Sequence, residues 1–173
     1  LILSTFFDEF SNNEITDFLK WAYRDFDDSK IVEIHQLDDK RNLLELFHGP
    51  TLAFKDMALS LLPYLLTAAV KKNGSSKTMV ILTATSGDTG GAALKGFNDV
   101  PQTKIVVYYP SVGVSKLQRQ QMTTADGKNT HVVAVTGNFD DAQKAVKNLL
   151  TDHRLAQKMA AASLGFSSAN SIN

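Results

Sequence analysis

The chain of 173 residues carries 18 basic and 18 acidic side chains and no cysteine. The balanced charge excludes a general attraction to nucleic acid or to an anionic membrane, and the lack of thiols excludes disulfides, thiolate zinc sites and cysteine nucleophiles. Its apolar runs are far shorter than the roughly 20 residues that span a bilayer, and no signal-peptide pattern follows Leu1, so we expect a cytoplasmic protein.

The length of the chain suits one large domain or two small ones. The sequence begins at Leu1 rather than at a methionine, and it ends on Asn173 without a glycine or a charged tail. We therefore expect both ends to continue in a longer gene product.

A first helix is predicted after Ser11, because Ser11 and Glu14 have the spacing of a capping box. Phe10 and Ile15 stand where a hydrophobic staple would place them. The apolar residues at helical spacing behind this cap are Ile15, Phe18, Leu19, Ala22 and Phe26. The pattern predicts a scaffold helix with one buried face.

The next stretch contains short apolar runs at Ile31-Val32 and Leu43-Leu44, which are compatible with strands but leave the assignment open. A second helix is predicted over residues 55–72, because its apolar residues share one face. Pro63 lies inside this helix and predicts a kink, and Gly74 can end it.

From residue 78 the pattern changes to a strand, a turn and a helix, and then repeats. Valine- and isoleucine-rich runs at residues 79–82, 105–109 and 132–135 predict three strands, whose starts lie about 26 residues apart. This spacing is typical of βαβ units with right-handed crossovers and a parallel sheet. Residues 78–150 are therefore predicted to form a compact α/β unit.

Two helices of this unit have recognisable starts. Ser115 and Gln118 have the spacing of a capping box after the second strand. Asn138 can cap a helix after the third strand. The predicted apolar face of that last helix consists of Ala142, Ala145, Val146, Leu149 and Leu150.

Residues 46–56 form the first segment that can carry chemistry. Gly49-Pro50 predicts a turn, after which Lys55 falls at the start of the second helix, where free backbone N–H groups carry partial positive charge. This field and the apolar neighbours Ala53 and Phe54 disfavour the ammonium form, so the amine suits a Schiff base. The alternative interpretation is an ordinary solvated lysine.

Residues 83–93 form the second such segment, a glycine-rich turn between a strand and a helix. Such a turn directs several N–H donors to one point at a helix N-terminus, where an anion can bind. The hydroxyls of Thr85, Ser86 and Thr89 can add donors. A phosphate and a carboxylate both fit, and a purely structural tight turn is the alternative. No Gly-Lys-Ser/Thr follows, so the segment is not a P-loop.

In this order, the two segments resemble those of fold-type II pyridoxal-phosphate (PLP) enzymes, and those of the threonine synthase family most closely. Residues 45–56 are similar to the family's PLP-lysine segment, and residues 82–91 to its Ser-Gly-Asp-Thr-Gly loop. Residues 137–142 and 168–173 are similar to two further family segments. Asp88 favours threonine synthase within the group, because other members usually carry asparagine there.

The resemblance, which covers roughly residues 33–173, implies a tryptophan synthase β-like α/β fold, with a parallel sheet, flanking helices and an incomplete large domain. Residues 1–77 would then begin the large domain and carry the PLP-lysine helix. Residues 78–150 would form the small domain, and residues 151–173 would return to the large one.

The implied reaction converts O-phosphohomoserine and water into threonine and phosphate, by γ-elimination and addition of water at Cβ, as the last step of threonine biosynthesis. Another fold-type II lyase, such as a threonine/serine dehydratase, and a non-catalytic anion-binding module stay open as alternatives.

The resemblance also implies roles for single residues. Lys55 would bind PLP and move protons among the substrate carbons, and Asp88 would lie near the cofactor's phenolic oxygen. Phe54 and His48 would pack beside the cofactor, with a plain structural role as the alternative for each. The residues implied to hold the substrate carboxylate are Thr85, Ser86, Gly87 and Thr89.

The substrate phosphate needs donors of its own, since a buried charge without partners is very costly. The candidates are Ser115, Lys116 and Gln118 at a helix start, and Asn170, Ser171 and Asn173 at the end of the chain. A capped surface helix is the alternative for the first three. The spacing of His35, His131 and His153 does not predict a metal site.

In the family, the loop that binds the PLP phosphate and the hydroxyl that faces the pyridine nitrogen come later than Asn173. The resemblance therefore implies that this chain alone binds PLP poorly and turns over little or no substrate. The sequence does not predict the oligomeric state.

Overall fold

The computed structural model describes residues 2–172 and shows an α/β fold with a parallel sheet and flanking helices, which confirms the predicted class. The strands are β1 (Glu33–Gln36), β2 (Asn42–Glu45), β3 (Thr78–Ala84), β4 (Thr103–Pro110), β5 (Thr130–Val135) and β6 (Leu164–Ser168). The helices are α1 (Ile2–Phe6), α2 (Asn12–Ala22), α3 (Asp56–Leu59), α4 (Leu62–Lys72), α5 (Asp88–Gly96), α6 (Lys116–Thr123), α7 (Phe139–Thr151) and α8 (His153–Ala161), and a short 3₁₀ helix (Ala169–Ile172) follows β6. None of these helices combines the length and the apolar character needed to cross a membrane.

The main sheet has the strand order β5-β4-β3-β6, and its pairs are all parallel. Strands β3, β4 and β5 confirm the three predicted strands and their parallel arrangement. The predicted α/β unit ended at residue 150, but β6 pairs with β3 and extends the sheet to Ser168. The division of the chain into a small and a large domain stays a prediction.

Helices cover both faces of the sheet. Successive side chains of a strand point to opposite faces, so each strand contributes to both cores. On one face, Ile81 and Ile105 pack with Phe97 of α5 and Met122 of α6. On the other face, Val80 and Leu82 pack with residues of α7 such as Val146. Helices on both sides of a parallel sheet leave its strand ends as the accessible edges.

The first predicted helix is present as α2, with its capping box formed between Ser11 and Glu14. Phe10 and Ile15 are buried together, as the staple predicted. Helix α2 ends at Ala22, so Phe26 lies outside the predicted face and packs edge-on against the ring of Tyr23, at 5.1 Å between centroids. The predicted caps at Ser115 and Asn138 are also confirmed, each as a capping box.

The prediction of one continuous helix over residues 55–72 is wrong. Two helices, α3 and α4, replace it, and Pro63 lies in the first turn of α4 instead of kinking a longer helix. Proline suits that position because the N–H groups of a first turn have no helical acceptor. At the break, the carbonyl oxygen of Leu59 lies directly against the α-carbon of Gly96, which leaves no room for a side chain there. Gly74 follows α4 with a φ of 63° and ends it as predicted.

The structure decides the two apolar runs whose assignment the sequence left open. Leu43-Leu44 lies in β2, which pairs antiparallel with β1 to form a hairpin. Ile31-Val32 lies just before β1, and Ile31 has a φ of 70°, which a strand does not tolerate.

Candidate active site

The glycine-rich turn lies at the carboxyl end of β3, where α5 begins. Thr85 is buried, and its hydroxyl oxygen accepts hydrogen bonds from the N–H groups of Gly87 and Gly90, both at 2.9 Å. Gly87 has a φ of 149°, a conformation that side chains rarely tolerate. Thr85 thus builds the turn from the inside, and its predicted contact with a substrate carboxylate stays a prediction.

Residues 86–89 of the glycine-rich turn, called the 86–89 turn below, present hydrogen-bond donors on their outer side. Ser86 and Asp88 are exposed and Thr89 is half-buried. The N–H groups of Asp88 and Thr89 lie in the first turn of α5 and have no acceptor among the described residues. Free N–H groups and hydroxyls at the carboxyl edge of a parallel sheet form a site that suits an anion.

Lys55 lies at the end of a loop that a buried carboxylate holds in shape. The carboxylate of Asp56 is buried and accepts the Thr51 N–H at 2.8 Å and the Thr51 hydroxyl at 2.7 Å. A side chain on Gly49 would meet the Asp56 Cβ at 2.5 Å, so only glycine fits beside it. The loop also reaches α6, where Gln121 Nε2 lies 3.5 Å from the Thr51 carbonyl oxygen.

The buried carboxyl group of Asp56 has a raised pKa. Burial raises the pKa of Asp56, and the negative charge of Asp88 acts in the same direction, although the bonds from Thr51 oppose it. Independently of these charges, α3, which follows Lys55, packs against α5. Lys55 therefore begins a helix that lies beside α5.

The side chain of Lys55 is half-buried, and the residue occupies the N-cap position of α3. Its predicted place at a helix start is confirmed, although α3 has only four residues, so its dipole is small. The Lys55 Nζ lies 4.7 Å from the centroid of the Phe54 ring. Phe54 itself is 54% exposed, so its ring forms part of an accessible surface beside the amine.

His48 lies between two carboxylates. Its Nε2 is 2.9 Å from a Glu45 oxygen, and its Nδ1 is 2.7 Å from an Asp27 oxygen. The hydrogen bonds to Glu45 and then to Asp27 raise the pKa of His48 above its usual value. The Asp27 N–H also donates to the His48 carbonyl oxygen at 3.0 Å. The imidazole therefore cross-links two parts of the chain, which supports the structural alternative for this residue.

We expect the Glu45→Gln and Asp27→Asn variants each to lower the pKa of His48, because each removes one carboxylate from the protonated ring. Since the folded-state pKa is raised, the stabilisation is complete below the unfolded value of about 6.5 and disappears as the pH rises through the folded value. An NMR titration of the His48 ring protons measures the pKa directly. An unchanged titration in both variants would show that the carboxylates do not hold the imidazolium.

Helix α6 starts beside the turn. Ser115 and Lys116 are exposed at its first turn, where donors for a phosphate were predicted. Gln118 is engaged differently, because its Nε2 donates to Asp88 Oδ1 at 2.8 Å and its Oε1 accepts the Ser115 N–H at 3.2 Å. The predicted phosphate donor thus joins α6 to the first residue of α5.

Asn170 also has its amide occupied. Its Nδ2 donates to the Ala84 carbonyl oxygen at 2.8 Å, and its Oδ1 accepts the Ala84 N–H at 2.9 Å. The side chain thereby continues the pairing of β6 with β3 by one step, next to the glycine-rich turn. A role in positioning that turn follows directly, whereas the predicted phosphate contact stays a prediction. The Ser171 side chain and Asn173 lie outside the described residues.

Replacing Asn170 with alanine should destabilise the protein by about 2 kcal/mol, because the N–H and C=O of Ala84, a buried residue, lose both partners. Urea unfolding of the complete protein measures the change. The exposed Asn148 of α7 provides the control, since Asn148→Ala removes the same side chain without a buried partner. Equal midpoints for the two variants would contradict this role of Asn170.

A further cleft lies between α2, α4 and the loop after α5. It encloses about 880 Å³, and Trp21, Tyr64, Lys71 and Lys95 are among its lining residues. Apart from Pro50, none of its lining residues belongs to the segments 46–56 and 83–93. Within residues 2–172, we also find no group of three or more side chains that could hold a metal ion.

Comparison with known proteins gives a consistent set of relatives. A threonine synthase of Pseudomonas aeruginosa is 46% identical over 134 residues, which make up 78% of this chain and 28% of that protein. The crystal structure of threonine synthase from Escherichia coli matches with a TM-score of 0.80 and 37% identity, over 99% of this chain and 37% of that one. The structure of a PLP-bound threonine synthase from Brucella melitensis matches with a TM-score of 0.77 and 37% identity, over 90% and 32% of the two chains.

No protein-family model matches the chain. The relatives are much longer than this chain, which spans about a third of their length. The similarity nonetheless includes nearly all of this chain, and it is found in both sequence and fold.

Proposed function

Because this chain belongs to the threonine synthase family, as the portion that spans about a third of its relatives, we propose that it is part of a PLP-dependent threonine synthase. The proposed reaction takes O-phosphohomoserine and water and yields L-threonine and phosphate. The observation that carries the proposal is the position of Lys55, at the start of α3, which packs against α5, the helix that begins in the glycine-rich turn.

The residues around Lys55 fit PLP. An aldehyde needs an accessible primary amine, and the Lys55 amine stands at a half-buried position beside an exposed aromatic ring. Asp88 offers a second carboxylate oxygen, because only its Oδ1 accepts the Gln118 amide. When bound, PLP would supply an electron sink for the substrate carbons.

Each residue of the site then has a defined task. Lys55 would hold the cofactor, and its Nζ would carry protons between substrate carbons. Ser86, Thr89 and the free N–H groups of the 86–89 turn bind the substrate carboxylate. Gly87 gives this turn its shape, and Thr85 fixes it from the inside. Ser115 and Lys116 are proposed to donate to the substrate phosphate.

The remaining assignments are also part of the proposal. Residues 1–77 would contribute to the large domain, and residues 78–150 to a small domain whose sheet β6 extends. The segment 151–173 would lead back towards the large domain. We place the reaction in the cytoplasm, with a small molecule as the substrate and with no nucleic-acid or membrane partner.

The test uses the complete protein that contains this chain. Adding O-phosphohomoserine should release threonine and phosphate in equal amounts. Deamination of serine or threonine without any reaction of O-phosphohomoserine would instead identify another fold-type II lyase. Binding of anions without either reaction would identify a non-catalytic module, and both of these outcomes would reject the proposal.

A further inference from the structure

Gln118 makes contacts that a donor to a free substrate phosphate does not need. Its backbone N–H donates to the Ser115 hydroxyl at 3.2 Å and its Oε1 accepts the Ser115 N–H, so the residue closes the cap of α6. The same side-chain amide donates to Asp88 Oδ1 at 2.8 Å, across 30 residues of sequence. One side chain therefore joins the starts of α6 and α5.

The orientation of this amide is determined by its two partners. The oxygen faces an N–H donor, and the nitrogen faces a carboxylate, which only accepts. Turning the amide over would place two donors together and two acceptors together. Gln118 thus holds the Asp88 carboxylate by a single, directional bond to a charged group, which is a stronger type of hydrogen bond.

The contact with Gly87 completes the arrangement. A Cβ on Gly87 would lie 2.5 Å from Gln118 Nε2, so the amide rests directly on the glycine backbone. Thr85 holds the same turn from the inside, through the N–H groups of Gly87 and Gly90. The turn is therefore held from two sides, by Thr85 within and by Gln118 across the gap to α6.

We propose that Gln118 is a positioning residue that fixes Asp88 and the 86–89 turn against the start of α6. It occupies Asp88 Oδ1, so that Oδ2 would be the oxygen available to the cofactor, a consequence that rests on the proposed function. The bond itself is a property of the folded chain and can be tested without cofactor or substrate.

The decisive variant is Gln118→Glu. A carboxylate at this position still accepts the Ser115 N–H, and glutamate is a preferred residue of the capping box, so α6 keeps its cap. It cannot donate to Asp88, and it brings a second negative charge beside it. We expect hydrogen–deuterium exchange of the Gly87 and Gly90 amides in the cofactor-free complete protein to become about tenfold faster, as the loss of one hydrogen bond to a charged group predicts.

Two further variants control this result. Gln120→Glu makes the same change at an exposed position of the same helix and should leave exchange of the turn unaltered. Adding Asp88→Asn to Gln118→Glu reverses the donor and the acceptor, so the bond re-forms and exchange should return towards the original rate. Gln118→Met, which removes the donor without adding charge, serves if the glutamate variant does not fold. Unchanged exchange in the Gln118 variants, or no recovery in the double variant, would overturn the proposal.

Steady-state kinetics separate positioning from direct binding of the substrate phosphate. If Gln118 positions Asp88, Gln118→Glu should lower kcat about tenfold and change the KM for O-phosphohomoserine much less. A raised KM with an unchanged kcat would show that Gln118 binds substrate, and would reject the positioning role. If the unmodified complete protein does not consume O-phosphohomoserine, the proposed function fails, whereas the exchange result stands by itself.

Discussion

Replacing Lys55 with alanine in the complete protein should reduce threonine formation by at least about a thousandfold, because in the proposed function one amine is both the covalent anchor of the cofactor and the proton carrier. The visible absorbance that bound PLP gives the protein should disappear in the same variant. Thermal unfolding of the cofactor-free protein should change little, since Lys55 is only half-buried and belongs to none of the hydrophobic core clusters. Phosphate release and absorbance spectra measure the two effects.

The matched control for this prediction is Lys71→Ala. Lys71 is an exposed lysine in the last turn of α4 and lies in the cleft away from the site. We expect that variant to keep both its absorbance and its activity. A Lys55→Ala protein that keeps its visible absorbance would show that another amine holds the cofactor, and the assignment of the site would be wrong.

Replacing Gly90 with alanine should destabilise the protein by about 3 kcal/mol, the upper range for a methyl group forced into a packed core. The added Cβ would lie 2.6 Å from Met122 Sδ, 2.6 Å from Thr85 Cγ2 and 2.9 Å from Val107 Cγ1. Neither the strand nor the buried Thr85 can move away freely, because Thr85 accepts the hydrogen bonds that form the turn. If the turn binds the substrate carboxylate as proposed, the variant should also weaken that binding. Urea unfolding and the KM for O-phosphohomoserine measure the two consequences.

Gly91 provides the control within the same helix. The atom nearest to a Cβ added at Gly91 would be Gln121 Oε1, at 3.9 Å, which is an ordinary contact distance. Gly91→Ala should therefore be neutral or stabilising by up to about 1 kcal/mol, since alanine favours the helix. If both variants unfold at the same urea concentration, close packing is not the reason why position 90 requires glycine.

The features of the fold that follow local rules were accessible from the sequence. The capping boxes at Ser11 and Ser115 depend on residues three positions apart, and the structure confirms both. The strands β3 and β4 were recognisable because strands buried on both faces are rich in valine and isoleucine.

Features that depend on distant packing were missed. Strand β6 has the sequence Leu-Gly-Phe-Ser-Ser, which has no β-branched residue, and its pairing with β3 decides its conformation. The break between α3 and α4 lies where Leu59 meets Gly96, a contact between segments far apart in sequence. Helical periodicity continues across that break and cannot reveal it.

The candidate site shows the same division. Lys55 and the 86–89 turn were predicted from short motifs, whereas the contacts around them were not. Asn170 bonds to Ala84 across 86 residues, and a sequence-only argument does not align two such distant amide groups. The buried carboxylate of Asp56 was also missed, because an aspartate beside a lysine is equally typical of a solvated surface. These bonds position the motifs, and they arise only when the sheet and helices have assembled.

Covalent trapping tests the site most directly. The complete protein would be loaded with PLP, reduced with borohydride to fix the cofactor to the amine that holds it, and digested for mass spectrometry. We predict that the cofactor is found on the peptide that contains Lys55 and on no other lysine of this chain. Labelling at a different lysine, or no labelled peptide at all, would contradict the account.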